Sequence, residues 1–255
     1  YGVPSEDIEA VDRAAASSRP SAATSSKSDQ GRAATYGEIT ALGARQIARA
    51  VGLDSLHSVA AADDSNLSAT GSLVFFDLGS GVGKLVVQAY LEWPAIGSAV
   101  GVELSSKRSA LAHAAWGALV DSGEARALRL AAEALAVGPA PLSRMGSFVE
   151  HRRIEDGVKL IHGDIFATDI SEATHIYVSS LCFDDDLLER IAEKLSSEAP
   201  KLQAVIALKR FPQGLRGFGD YQKVQAQMSW TIARGGTMTV LFYNRAGKHI
   251  QDVAA

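Results

Sequence analysis

The feature that most constrains this chain is a single stretch, VFFDLGSGVGKLVVQ at residues 74–88. An apolar run leads into three glycines at alternate positions, Gly79, Gly81 and Gly83, and an apolar helical pattern follows from Lys84. A strand, a glycine-rich turn and a helix in that order bring a backbone without Cβ atoms up to a ligand. The stretch therefore predicts an α/β fold that binds a nucleotide-like molecule at the end of its first strand.

Three readings of the turn compete. A phosphate-cradling loop needs GxxxxGK followed by Ser or Thr. Here Leu78 stands five residues before Gly83 and Leu85 follows Lys84, so spacing and hydroxyl are both wrong. A dinucleotide fingerprint reads GxGxxG, whereas this turn reads GxGxG and carries Asp77 at the strand end. An acid there suits a cationic ligand. S-adenosylmethionine (SAM) is one: a sulfonium and an ammonium, with no phosphate. Gly79, Ser80, Gly81 and Gly83 then line its approach. Glu103, ending the strand pattern SAVGVEL, is expected to accept from both ribose hydroxyls. Asp164 in HGDIF is expected to take the adenine amino group, with Ile165 and Phe166 packed on the ring. The plain structural alternative for each acid is a solvated helix cap.

The rest of the chain supports a sheet of that kind. Strands are expected at 73–78, 98–104, 158–161, 175–179 and 203–208, with two further β candidates, QMSWTI and TMTVLFY. Helices are expected at 38–51, 84–92, from 105 to about 120, at 124–137 and at 184–195, the last opening on Asp184, Asp185 and Asp186 at the favourable end of its dipole. Such alternation predicts a mainly parallel sheet with helices on both faces, and the closely spaced last two strands predict an antiparallel edge. Residues 14–34 are small and polar, so 1–34 reads as a flexible N-terminal segment and 35–255 as one domain. The chain begins at Tyr1, which reads as a piece of a longer protein.

Composition excludes several classes. A net charge of -4 supplies no global field for nucleic acid. One cysteine, Cys182, gives neither a disulfide framework nor a thiolate zinc site; it is expected to be a small buried hydrophobe. The six histidines show no metal spacing, and His162 and His175 read as structural. No apolar run has the length of a membrane span and no signal peptide is visible, so an intracellular place is expected.

With these residues in view, the chain resembles the non-SET histone lysine methyltransferases of the disruptor-of-telomeric-silencing (Dot) type. The resemblance rests on TYGEI (35–39), FFDLGSGVGKLVVQ (75–88), GVELS (101–105), GDIF (163–166), VSSLCF (178–183), ALKRFP (207–212) and MSWT (228–231). It implies a class I, Rossmann-like, SAM-dependent methyltransferase fold with a seven-stranded sheet. It implies methyl transfer from SAM to a protein lysine amine, leaving S-adenosylhomocysteine, with a histone or nucleosome as substrate, chromatin as setting and the nucleus as place; without a histone substrate the place is the cytoplasm. Tyr36 and Glu38 would cover the cofactor tail, and Lys84 stands where the family commonly has glutamine. Trp230 would line the lysine channel with Phe183 beside it, completed by Phe242 and Tyr243; core packing is the alternative for Trp230 and Tyr243. Ser179 and Ser180 replace two amides of the family pattern, and no lysine-rich docking segment is present. Two other readings stay open: a methyltransferase for a small molecule or other non-histone substrate, and a degenerate domain that binds SAM or a partner without catalysis.

Overall fold

The computed structural model describes residues 38–54, 73–137, 153–232 and 235–245. The N-terminal segment 1–34, the polar stretch 61–72, Tyr36 and part of the RGG stretch lie outside the described residues.

Local sequence accounts for most elements. Helix α1, Ala41–Val51, starts at Thr40, whose side chain accepts from Gly43 N at 3.0 Å, and stops at Gly52 in the left-handed region. A threonine cap of this kind stabilises a helix by about 1 kcal/mol. Its inward face is Ala44, Ile47, Ala48 and Val51, while Leu42 in the first turn is 50% exposed. Strand β1, Leu73–Leu78, has five of six residues buried, as a strand covered on both faces should. Helix α2 runs Lys84–Glu92 and strand β2 Ile96–Glu103. Helix α3, Ser106–Asp121, is capped by Ser105, and α4 spans Glu124–Val137. Strands β3, Val158–His162, and β4, His175–Val178, precede α5, Asp185–Glu198. The Asp184 side chain caps α5 by accepting from Leu187 N at 2.9 Å. Strands β5, Ala204–Ala207, β6, Gln222–Ala226, and β7, Met238–Asn244, finish the described chain.

The sheet has seven strands in the order β3-β2-β1-β4-β5-β7-β6. The first five are parallel, and β7 enters antiparallel between β5 and β6. Two cores sandwich it. One joins α1, α2, Trp116 of α3 and Ala125 of α4 to Phe75, Tyr177, Ile206 and Phe242. The other seats Leu188, Ile191 and Leu195 of α5 on Phe76, Ile176, Val205 and Tyr243. Arg129, buried in α4, donates to the carbonyls of Tyr90, Trp93 and Pro94 and pairs with Glu133, pinning α4 to the end of α2.

One β candidate falls elsewhere. QMSWTI is not a strand: β6 ends at Ala226, and residues 228–232 form a turn in which Thr231 Oγ1 accepts from Met228 N at 3.0 Å. Met228 instead makes an isolated antiparallel bridge to Ile39. That hydroxyl back-bond competes with a ladder, which alternation alone does not reveal.

Candidate functional site

Every parallel strand delivers its C-terminal end to the same side of the sheet, and the order reverses direction between β1 and β4. Ligands of open α/β sheets bind at such a point. The glycine turn stands there. Gly79, Gly81 and Gly83 have φ of 91°, 57° and 76°, a region costly for any side chain. The turn is pinned by Gly79 N and Ser80 N donating to Val102 O at 2.9 and 3.0 Å. Gly101 lets Ser80 in: a Cβ there would stand 2.7 Å from Ser80 Oγ.

Asp77, one residue before the end of β1, lies beside Tyr177 of β4 and Gly101 of β2 in register. It is 3% exposed, and its Oδ1 has no hydrogen-bond partner among the described residues. Burial, then the charges of Glu103 and Glu38, push its carboxyl up to about 8. The cleft around it is narrow, about 50 Å³, and is lined by Glu38, Lys84, Ser80, Tyr177 and Ser179 among others. Tyr177 is buried and its phenol is pushed upward by burial and by Asp77, against a hydrogen bond with Ser179.

Glu103 is 5% exposed and well partnered. Its Oε2 accepts from Gly81 N at 2.9 Å, and its Oε1 from Ser105 N at 2.7 Å and from Arg108 Nε and an Arg108 terminal nitrogen at 3.2 and 3.0 Å. Oε1 is thus filled by its neighbours, while Oε2 meets a single donor among the described residues. Gly163 N donates to Glu103 O, which ties the Asp164 turn to the end of β2. Asp164 is exposed and its Oδ1 accepts from Phe166 N at 2.9 Å, closing a turn at residues 165–167 with no helix behind it. Ile165 and Phe166 are half-buried, and Arg190 lies 4.1 Å from the Phe166 ring centroid, so that ring is engaged towards α5. Leu104, next to Glu103, is 73% exposed.

A second level is built by segments far apart in sequence. Lys84 Nζ pairs with Glu38 at 2.5 Å. Glu38 O accepts from Ser229 N at 2.8 Å, and Thr40 Oγ1 donates to Gln227 at its backbone and side-chain oxygens. These contacts bring the 38–40 and 227–231 segments together at the cleft. Trp230, 39% exposed, stands in the second of them.

The two serines separate. Ser179 lines the cleft, whereas Ser180 is fully buried and its Oγ accepts from Leu208 N and Lys209 N at 3.1 and 2.9 Å, capping β5. Phe183 is half-buried in a neighbouring groove of about 680 Å³ formed by residues 181–186 and Lys209. Cys182 is exposed there, a correction to the buried reading; the single turn at Ser180–Cys182 carries it outward. Tyr243 sits in the core against α5, beside Val205 in register, its hydroxyl accepting from Phe211 N at 3.3 Å. Phe242 is buried on the opposite sheet face. Neither borders the cleft. His175 is buried and contacts Thr174 Oγ1, and His162 is exposed. Among the described residues no group of three or more His, Cys, Asp or Glu side chains can hold a metal ion.

Tyr177, which lines the cleft, was missed in the sequence. The alternation of HIYVS carries its signal, since residues 177 and 179 share a face.

Sheet order, glycine turn and strand-end acids define the class: a class I, SAM-dependent methyltransferase fold. Within it, residues 29–135 match the model of the family Histone methylation protein DOT1, the family the sequence resembles. No curated protein matches the chain. Among solved structures, an RNA methyltransferase from Salinibacter ruber in complex with S-adenosyl-L-homocysteine is 19% identical, with 74% of this chain and 90% of that one covered at a TM-score of 0.42. TrmN from Thermus thermophilus is 14% identical, with 84% and 52% covered and a TM-score of 0.44. The mitomycin 7-O-methyltransferase MmcR is 16% identical, with 77% and 54% covered and a TM-score of 0.42.

Proposed function

We propose that the domain transfers a methyl group from SAM to a protein lysine amine, with a histone lysine the first candidate. The observation that carries the cofactor half is Asp77: a carboxyl oxygen buried without a partner among the described residues, in a cleft lined by Ser80, Tyr177, Ser179 and the Lys84–Glu38 pair. An unpartnered buried acceptor is costly until a donor arrives. An amino-acid tail fits this set, its ammonium to Asp77 and its carboxylate to Lys84, Tyr177 and Ser179. The nucleoside end extends along Glu103, Leu104 and Asp164.

Bound SAM supplies an electrophilic methyl on a sulfonium. The protein's part is to hold a neutral amine in line with it and to exclude water. Phe183, in the neighbouring groove, and Trp230, in the 227–231 segment, are apolar and partly exposed, and they disfavour the ammonium form of an entering amine. The amine proton leaves to solvent before attack, so no acid–base dyad is assigned. The rim of the neighbouring groove carries three aspartates against Lys209, a balance that attracts a cationic side chain and repels phosphate. That favours a basic protein substrate over nucleic acid. On this reading the protein works in the nucleus if the acceptor is a histone and in the cytoplasm if it is not.

Labelled methyl transfer into nucleosomes, free histones and a fractionated extract tests the proposal, with Asp77→Ala as blank. Label on a histone lysine supports it. Label only in a small-molecule fraction keeps the transferase and removes the lysine.

A further inference from the structure

Resting on the reading of the cleft as a SAM site, we propose that Arg108 is a positioning residue. It occupies one oxygen of Glu103, so the cofactor's ribose is read through a single hydroxyl. A carboxylate offers about four lone-pair positions, two on each oxygen. Oε1 meets three N–H groups, one from Ser105 and two from Arg108, and has none to spare. Among the described residues Oε2 meets only Gly81 N, which leaves it one. The arrangement is locked locally: Ser105 N holds Glu103 while Ser105 Oγ accepts from Arg108 N at 3.4 Å, fixing the first turn of α3. Arg108 is three residues into that helix, and its guanidinium is mostly buried against the carboxylate. A planar fork holds a carboxylate at a fixed angle in a way an ammonium does not.

The distinguishing consequence is asymmetry between the two ribose hydroxyls. The test is calorimetric titration of the full chain with S-adenosylhomocysteine and with its 2′-deoxy and 3′-deoxy analogues. One analogue should bind about tenfold or more weakly, the loss of a hydrogen bond to a charged group, and the other within about twofold of the parent. In Arg108→Met, Oε1 keeps only Ser105 N and has room for the second hydroxyl, so the penalties of the two analogues should become alike. Arg108→Lys keeps the charge without the fork and should show an intermediate asymmetry. Thermal melting of both variants checks that α3 is folded, and the wild-type arm needs no variant at all. Equal penalties for both analogues in the wild-type protein, or no penalty for either, overturn the proposal, as does an asymmetry that survives in Arg108→Met. Absence of binding by the parent compound to the wild-type protein would instead refute the reading of the cleft, and this proposal with it.

Discussion

Asp77→Asn should raise stability at neutral pH while abolishing tight cofactor binding. The Asp77 carboxyl, ordinarily near 3.8, is pushed up to about 8, first by burial and then by the charges of Glu103 and Glu38. The sign is the reverse of an ion-paired acid. Between the two values the folded state keeps a proton that the unfolded state has lost, so stability falls as pH rises through that window. The slope is about 1.4 kcal/mol per pH unit, or about 2.7 kcal/mol between pH 5 and 7. For a domain of this size that is a fall of about 5–10 °C in Tm. Asparagine has nearly the same shape and does not titrate. Scanning calorimetry of both proteins without cofactor should give similar Tm at pH 5, with Asp77→Asn ahead by that margin at pH 7. The other groups of the cleft, Glu38, Lys84, Glu103, Arg108 and Tyr177, are common to both proteins and cancel in the difference. A difference that stays flat from pH 5 to 8 would refute the reasoning. Binding carries the opposite sign. An ammonium ligand must ionise Asp77, so S-adenosylhomocysteine should bind up to about tenfold tighter per pH unit until near pH 8, where the ligand's own amine begins to lose its proton. Titrations in buffers of different ionisation enthalpy should show about one proton released at pH 6–7 by the wild-type protein and none by Asp77→Asn.

Three further outcomes follow from the geometry. Ser180→Ala leaves Leu208 N and Lys209 N without their acceptor and should cost about 1–3 kcal/mol in denaturant unfolding with cofactor affinity little changed; Ser179→Ala should do the reverse, weakening S-adenosylhomocysteine at near-constant stability. Gly101→Ala forces a Cβ to within 2.7 Å of Ser80 Oγ and 2.8 Å of Val86, so melting should show a loss of about 1–3 kcal/mol and titration a weakened site. Lys84→Met removes the cation of the tail cleft and the partner of Glu38; S-adenosylhomocysteine should weaken several-fold, while 5′-methylthioadenosine, which lacks the tail, should be unaffected.

Much of this was legible in the chain. The apolar run before Asp77 marks a strand, the three glycines mark a turn of left-handed residues, and Ser105 and Asp184 mark helix starts, because each depends on neighbours within a few positions; the helix expected from residue 38 begins only at Ala41. The strand-end acids Asp77 and Glu103 follow from the same local pattern, and parallel pairing then carries both to one side of the sheet.

What tertiary structure decided is which distant groups meet. Glu38 and Ser229 are joined across 191 residues, and no pattern in either segment announces the other. Ser180 reads like Ser179 in sequence, yet one caps β5 and the other lines the cleft, because the Ser180–Cys182 turn points them apart. Tyr243 belongs to the core because β7 enters antiparallel, which sets the residue beside Val205 rather than at the strand ends that bear the site. The capacity of Glu103 is fixed by Arg108 and Gly81 together, one from a helix and one from a turn. Sequence thus named the chemical groups through local propensity; long-range contacts, set by the sheet order, determined which of them remain free to meet a ligand.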